Sequence, residues 1–353
     1  MISISLVHME RKTVSDLISV AKLAGVSRAT AARAFSNPTL LRQATLQKVM
    51  AASKQLGFRP NRIAQQLRTK STKIIGVALP TLSNPVFAEQ LQAMETVAKQ
   101  HGYSLLVATT DYQPAQEADV IENMLRQQVD GLVLTVADAD NNTVLDALQW
   151  EDIPTVLVHN QPQRLKIPTI CVNNYRAMYD ATCHIQQLGH RHIGMIAGPM
   201  WQSDRARLRY AGYCHAMNLK GLAALPVIEM PKHTQSCFTT LQPYLLGENA
   251  LTALLCSNDL LALSTIGSLL RAGYQVPQQI SVIGFDGIDL GQHLYPSLCS
   301  VVQPGDKLGR QAVESLLALL NGQPLLPGTV THHFRVGEST ASPPNVQGNV
   351  LLG

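Results

Sequence analysis

At 353 residues, with 46% apolar and 15% charged side chains, the chain is too long for one ordinary domain and reads as a soluble globular protein of two or three. No run of about eighteen apolar residues occurs, which argues against a membrane-spanning helix. The net charge of +4 hides a division: residues 1–73 hold 13 of the 28 Lys/Arg and 2 of the 24 acids, so a head of +11 precedes a body of −7. Such a head suits a polyanion, because phosphate neutralisation supplies most nucleic-acid affinity.

In chain order, Met1 to His8 is apolar but too short for a signal core, and Met9-Glu10-Arg11-Lys12 interrupts it; Met9 is a second candidate start. Asp16 is placed to cap a helix whose apolar positions Leu17, Val20, Ala21 and Ala24 follow helical spacing, and Gly25 ends it where a positive φ is needed. Ser27 caps the next helix, with Arg28, Ala29 and Arg33 outward and Val26, Thr30 and Ala34 inward. Two helices joined by a glycine-containing turn predict a helix-turn-helix, whose second helix enters the major groove. An arginine there either reads guanine or touches only phosphate. A third helix is expected over 44–56, packing through Leu46, Val49, Met50, Ser53 and Leu56, with Lys48 and Lys54 solvated or near phosphate.

This head resembles the lactose-repressor (LacI/GalR) family of bacterial transcription regulators, through Ser19-Val20-Ala21-Lys22-Leu23-Ala24-Gly25-Val26-Ser27-Arg28-Ala29-Thr30-Ala31-Ala32-Arg33. Ser19 stands where the family has Asp, and Ala31-Ala32 where it has Val-Ser, so a phosphate contact from a hydroxyl at 32 is not carried over. The block from Leu56 through Pro60 to Leu67 resembles the family's hinge helix, with Pro60 at its entrance. The resemblance implies DNA contacts from Ser27, Arg28, Ala29, Thr30 and Arg33, and from Asn61, Arg62, Ala64 and Leu67 in the hinge. Leu67 takes the position of a leucine that wedges into the minor groove, bending DNA in return for added contact. A helix this short is marginal alone, so it is expected to fold on DNA.

From residue 74 short apolar runs alternate with amphipathic segments: 74–79, 103–108, 131–135 and 155–158, then 193–197, 227–230, 253–256 and 281–285. Strands this apolar are covered by helices on both faces. Two successive α/β lobes imply a cleft, with ligands at the carboxyl ends of the strands. The resemblance extends over about 14–340, through Pro80 to Phe87, Val129-Asp130-Gly131, Leu188 to Gly194, Ser257-Asn258-Asp259 and Val282 to Asp286. It implies a two-lobed, periplasmic-binding-protein-like α/β effector domain with parallel sheets behind the all-α helix-turn-helix domain and hinge helix. The expected organisation is a head over 13–59, a hinge and linker over 60–73, an effector and dimerisation domain over 74–340, and a tail over 341–353. Lobe 1 then takes 74–172 and 303–328, and lobe 2 takes 173–302 and 329–340, with the return crossing near Gln303-Pro304, a helix over 305–320 and a final strand near 331–335.

By match to the family, Arg209 and Asp286 are effector-binding residues, a donor and an acceptor suited to a polyhydroxylated ligand or else a structural ion pair; Ser83, Asn84, Phe87 and Asp111 are further candidates. His190, Arg191 and His192 are read as a helix-to-strand turn, not a metal site. No cofactor is expected. Neither a phosphate loop nor a nucleophile elbow supports an enzyme. The six cysteines, Cys171, Cys183, Cys214, Cys237, Cys256 and Cys299, form no CxxC pair and read as reduced thiols of a cytoplasmic protein. The expectation is a homodimeric repressor of a carbohydrate-utilisation operon. It binds a near-palindromic double-stranded operator, touches no membrane, and is controlled by a small sugar or sugar acid, with phrases such as Gly284 to Gln292 closest to gluconate-type repressors. The alternative is a solute receptor without a DNA role. A Pro/Gly/Asn-rich tail without a leucine heptad argues against a coiled-coil tetramer.

Overall fold

The computed structural model describes residues 16–59, 71–324 and 328–344. Its contacts divide the chain into two units, 1–72 and 73–353. The hinge residues Asn61, Arg62, Ala64 and Leu67 lie outside the described residues, as does most of the tail.

The first unit contains α1 (Leu17–Ala24), α2 (Arg28–Ser36) and α3 (Gln43–Leu56). Asp16 accepts the Ser19 amide at 2.8 Å to start α1, and Gly25 closes it at φ +67°. Ser27 accepts the Thr30 amide at 3.1 Å to start α2, while Gly57 ends α3 at φ +61°. The buried centre is Val20, Ala21, Ala31, Ala34, Val49 and Ala52. Such small side chains let three short helices approach closely around little apolar volume. Two positions expected inside on α3, Met50 and Leu56, are exposed, because Ala52 and Ser53 take the inward face beside Val49.

In the second unit, β1 (Ile74–Leu79), β2 (Ser104–Thr109), β3 (Gly131–Leu134), β4 (Thr155–Val158) and β5 (Thr169–Ile170) form a parallel sheet in the order β2-β1-β3-β4-β5. Helices α4 (Pro85–Gln100), α5 (Pro114–Arg126) and α6 (Thr143–Trp150) connect its strands. After β5 the chain crosses to α7 (Asn174–Gln187), β6 (Ile193–Ala197), α8 (Asp204–Leu219), β7 (Ile228–Glu229), the short α9 (Phe238–Leu241), β8 (Ala253–Cys256), α10 (Asp259–Arg271), β9 (Ser281–Asp286) and β10 (Cys299–Val302). It returns to the first lobe as α11 (Gly305–Leu320) and crosses again to β11 (His333–Arg335). The second sheet runs β11-β10-β9-β8-β6-β7, parallel except that β11 opposes β10. Strands β5 and β10 are not anticipated by the sequence reading. The first has two residues, and Ser300 breaks the apolar run of the second.

Both sheets reverse winding direction at their first strand, between β1 and β3 and between β6 and β8. Crevices at the carboxyl ends of parallel strands open at such points. Around them, strands β1, β3, β4, β6, β8 and β9 are buried almost throughout, with Ile75, Val77, Val133, Met195, Leu255 and Phe285 in the core.

In each lobe a helix pair meets through a glycine. A Cβ at Gly212 of α8 would overlap the Tyr175 carbonyl of α7, and one at Gly309 of α11 would overlap the Gln90 carbonyl of α4. Backbone atoms cannot rotate away as a side chain does. Gly212→Ala and Gly309→Ala are each expected to destabilise the second unit by about 1–3 kcal/mol, as a lowered urea midpoint with unchanged slope. An unchanged midpoint contradicts the packing described.

Candidate functional site

The site lies between the lobes of the second unit, where strands from both sheets end. The first lobe contributes Asn84 and Phe87 at the start of α4, Tyr112 after β2 and His159 after β4. The second contributes Ser203, Arg205 and Arg209 from the start of α8, His233 after β7, Ser257 and Asn258 after β8, and Asp286 at the end of β9. Gln303, on the crossing after β10, completes the lining. These groups enclose about 40 Å³, room for a few water molecules and too little for a six-carbon sugar.

Asp286 is the centre of this arrangement. Its buried carboxylate accepts from Asn84 Nδ2 at 3.0 Å, out of the first lobe, and from Gln303 Nε2 at 2.8 Å. A carboxylate only accepts, which fixes the Gln303 amide so that its oxygen faces His159. His159 Nδ1 then donates to Gln303 Oε1 at 3.2 Å, and its Nε2 accepts from the Gln90 amide. Burial drives His159 down to about 3, aided by the charges of Arg205 and Arg209, so the ring is neutral in the tautomer this chain of bonds requires. The backbone of Asp286 is at φ +114°, rare for a side chain other than glycine.

Arg209 faces Asp286 at 4.0 Å, a charge interaction at the limit of contact and not a hydrogen bond. Its Nε donates to Asn174 Oδ1 at 2.8 Å, one terminal nitrogen donates to the Ser257 carbonyl, and the guanidinium lies 3.5 Å over the Phe285 ring. Burial lowers Arg209 to about 10 against the pull of Asp286, so it stays charged near neutrality. Burial likewise pushes Asp286 upward, opposed by Arg209 and by its two amide donors.

Of the six expected ligand residues, Asn84, Phe87, Arg209 and Asp286 line the cavity. Two do not. Ser83 is exposed and hydrogen-bonds Thr81 at 2.9 Å. Asp111 is exposed because both it and Tyr112 adopt positive φ, 48° and 56°, a turn that sends Tyr112 inward to stack on His233 at 4.1 Å. Among the residues missed, Arg205 had a readable signal: it precedes Arg209 by four positions and so shares its helix face. His159 and Ser257 follow the ends of buried strands, another legible position. His190 sits in a turn between α7 and β6, and its ring nitrogens bond Thr252 Oγ1 and the Ala341 carbonyl, each at 2.8 Å. In the first unit, Ser27, Arg28, Ala29 and Arg33 are exposed, while Thr30 is half-buried with its hydroxyl 2.9 Å from that of Ser27. No described helix is long and apolar enough to cross a membrane.

Residues 16–61 match the family model described as bacterial regulatory proteins, lacI family, and residues 72–343 match that of periplasmic binding proteins and the sugar binding domain of the LacI family. The chain is 30% identical over 317 residues to the HTH-type transcriptional repressor CytR of Escherichia coli K12, covering 89% of this chain and 92% of that one. It is 32% identical over 312 residues to the HTH-type transcriptional regulator GntR of the same organism, covering 88% and 93%. Among solved structures, the lac repressor dimer bound to operator and the anti-inducer ONPF superposes with a TM-score of 0.81 at 27% identity, over 93% of this chain and all of that one.

Two cavity histidines make the site sensitive to acid. Burial also takes His233 down, to about 4, with Arg205 adding to the effect. A histidine held below its unfolded value of about 6.5 gives stability that is complete above that value and lost as the pH falls toward the folded one. Replacing His159 with Gln is therefore expected to reduce the loss of unfolding free energy between about pH 6.5 and 4.5 by up to about 1.4 kcal/mol per pH unit. Urea titrations at stepped pH measure it, and equal slopes in both proteins contradict a buried neutral His159.

Proposed function

We propose that this chain, which belongs to the lacI family of bacterial regulatory proteins, is a homodimeric, effector-controlled repressor of a carbohydrate-utilisation operon, with Arg209 and Asp286 holding a small sugar or sugar acid between the lobes. The observation that carries the effector site is the Asn84–Asp286 hydrogen bond, which joins the lobes through the middle of the cleft. A polyhydroxylated ligand replaces that contact with its own donors and acceptors, and it shifts the lobes only as far as its affinity differs between their two arrangements.

The DNA-reading surface is the exposed face of α2. Arg28 and Arg33 are the base readers, Ser27, Ala29 and Thr30 line the same end, and Asn61, Arg62, Ala64 and Leu67 belong to the hinge contact in the minor groove. A second copy fits the free edge of the first sheet, where Leu91, Tyr103, Leu105 and Val107 leave a half-exposed apolar face. Two-fold symmetry then implies a near-palindromic operator. The reading includes a cytoplasmic location and no catalytic role.

Binding to an operator selected from random duplex DNA is expected to weaken steeply and linearly in log–log form with salt, and Leu67→Ala to lose at least about tenfold in affinity together with DNA bending. A flat salt response removes the DNA reading. Normal bending by the Leu67 variant removes the wedge. In a thermal-shift panel of sugars and aldonates, stabilisation by a ligand is expected in the parent protein and not in Arg209→Ala; equal stabilisation of both places the ligand elsewhere.

A further inference from the structure

The acceptors and donors of the cavity do not balance. The lining carboxylate, Asp286, and the carboxylate of Asp204 behind Arg205 are already supplied. Asp286 has Asn84 and Gln303; Asp204, at the start of α8, accepts from Asn160 Nδ2 at 2.7 Å, from the Ala139 amide at 3.2 Å and from Arg205 Nη1 at 3.2 Å. Arg205 is 5% exposed, and its Nη1 also donates to the Val136 carbonyl at 2.6 Å. Its Nε and Nη2 donate to no described residue, Arg205 lines the cavity, and the Nε–Nη2 side is one of the two guanidinium edges that can meet a carboxylate with two parallel hydrogen bonds. The hydroxyls of Tyr112 and Ser203, which also line the cavity, donate to no described residue either.

We infer that the effector is a polyhydroxylated carboxylate, its acid group set against the Nε–Nη2 edge of Arg205 and its hydroxyls against Arg209 and Asp286. This rests on the effector reading above and narrows it, excluding neutral sugars as the cognate ligand. Two further observations agree. Arg205 is the leading charge acting on both His159 and His233, which places its guanidinium close to the wall that these two rings form. It also reaches across the cleft: Arg205 belongs to the second lobe and Val136 follows β3 of the first. The acid group therefore binds a residue that already ties the lobes together, and Arg205 reads the charge of the ligand at the point where closure is held.

The test is calorimetric titration of the full-length protein with D-gluconate, D-galactonate and D-glucuronate, each against an uncharged partner: D-glucitol, D-galactitol and D-glucose. The parent protein is expected to bind at least one acid about 100-fold more tightly than its partner, the range of charge-assisted hydrogen bonds. Arg205→Gln is expected to reduce that preference to within about threefold, and Arg205→Lys to restore part of it through charge without the two-pronged edge. Comparable or tighter binding of a neutral partner overturns the inference while leaving the carbohydrate reading intact. Binding of none of the six overturns both. An undiminished acid preference in Arg205→Gln shows Arg205 to be only a strut between lobes. Should that variant fail to fold, the parent titrations and Arg205→Lys decide the matter.

Discussion

A carboxylate removed from water has to be surrounded by donors, and at Asp286 those donors come from parts of the chain far apart in sequence. Asn84 begins a helix of the first lobe, Gln303 lies on a crossing between lobes, and Arg209 is on the second helix of the second lobe. Leaving a buried charge without such partners costs several kcal/mol, roughly as much as a typical domain's margin of stability. On the proposed reading, a ligand that displaces Asn84 must offer Asp286 replacement donors, which hydroxyl-rich molecules have and purely apolar ones lack.

The position of Asp286 depends in turn on a second buried carboxylate. Asp259, at the start of α10, accepts from Ser300 Oγ at 2.6 Å and from the Ile288 amide at 2.7 Å, which anchors the segment just beyond Asp286. Burial, with the charge of Asp286 nearby, raises Asp259 to about 8. Two glycines make the arrangement possible. A side chain at Gly284 would overlap Asp259 Oδ1, and one at Gly287, already at φ +79°, would lie 2.6 Å from Val302 Cγ1. The positive φ at Asp286 is thus set between an anchored segment and a close strand.

Much of this was legible in the residues, and what was not has a local cause. Helix caps depend on one residue and its neighbours, so Asp16, Gly25 and Ser27 could be assigned in advance, as could eight of the strands, whose apolar runs need no partner to be recognised. Asp111 was chosen where Tyr112 lines the cavity, because consecutive positive φ values rotate the chain by one residue and leave no mark in composition. The helical stripe Leu46, Val49, Met50, Ser53 and Leu56 predicts Met50 and Leu56 inside, whereas a core of alanines turns α3 to present Ala52 beside Val49 and Ser53. The site is built from loop tips, and its defining bond joins residues 202 positions apart, a pairing that no local pattern encodes.

One helix concentrates the coupling between ligand and lobes. Arg209 reaches the cavity from the second turn of α8, while its first turn carries three links to the other lobe: Asp204 to Ala139 and Asn160, Arg205 to Val136, and Arg207 to Asp138 at 2.6 Å. A helix is stiff over this distance, so a displacement imposed on Arg209 by a ligand is felt at all three. Coupling free energies between sites are about 1–3 kcal/mol, and a single hydrogen bond to a charged group is about 1.5–3 kcal/mol. Making or losing one of these links is therefore enough to account for a regulatory response. No long pathway of packed residues is needed, because Arg209, the proposed ligand-reading group, and the groups that join the lobes are neighbours on the same helix.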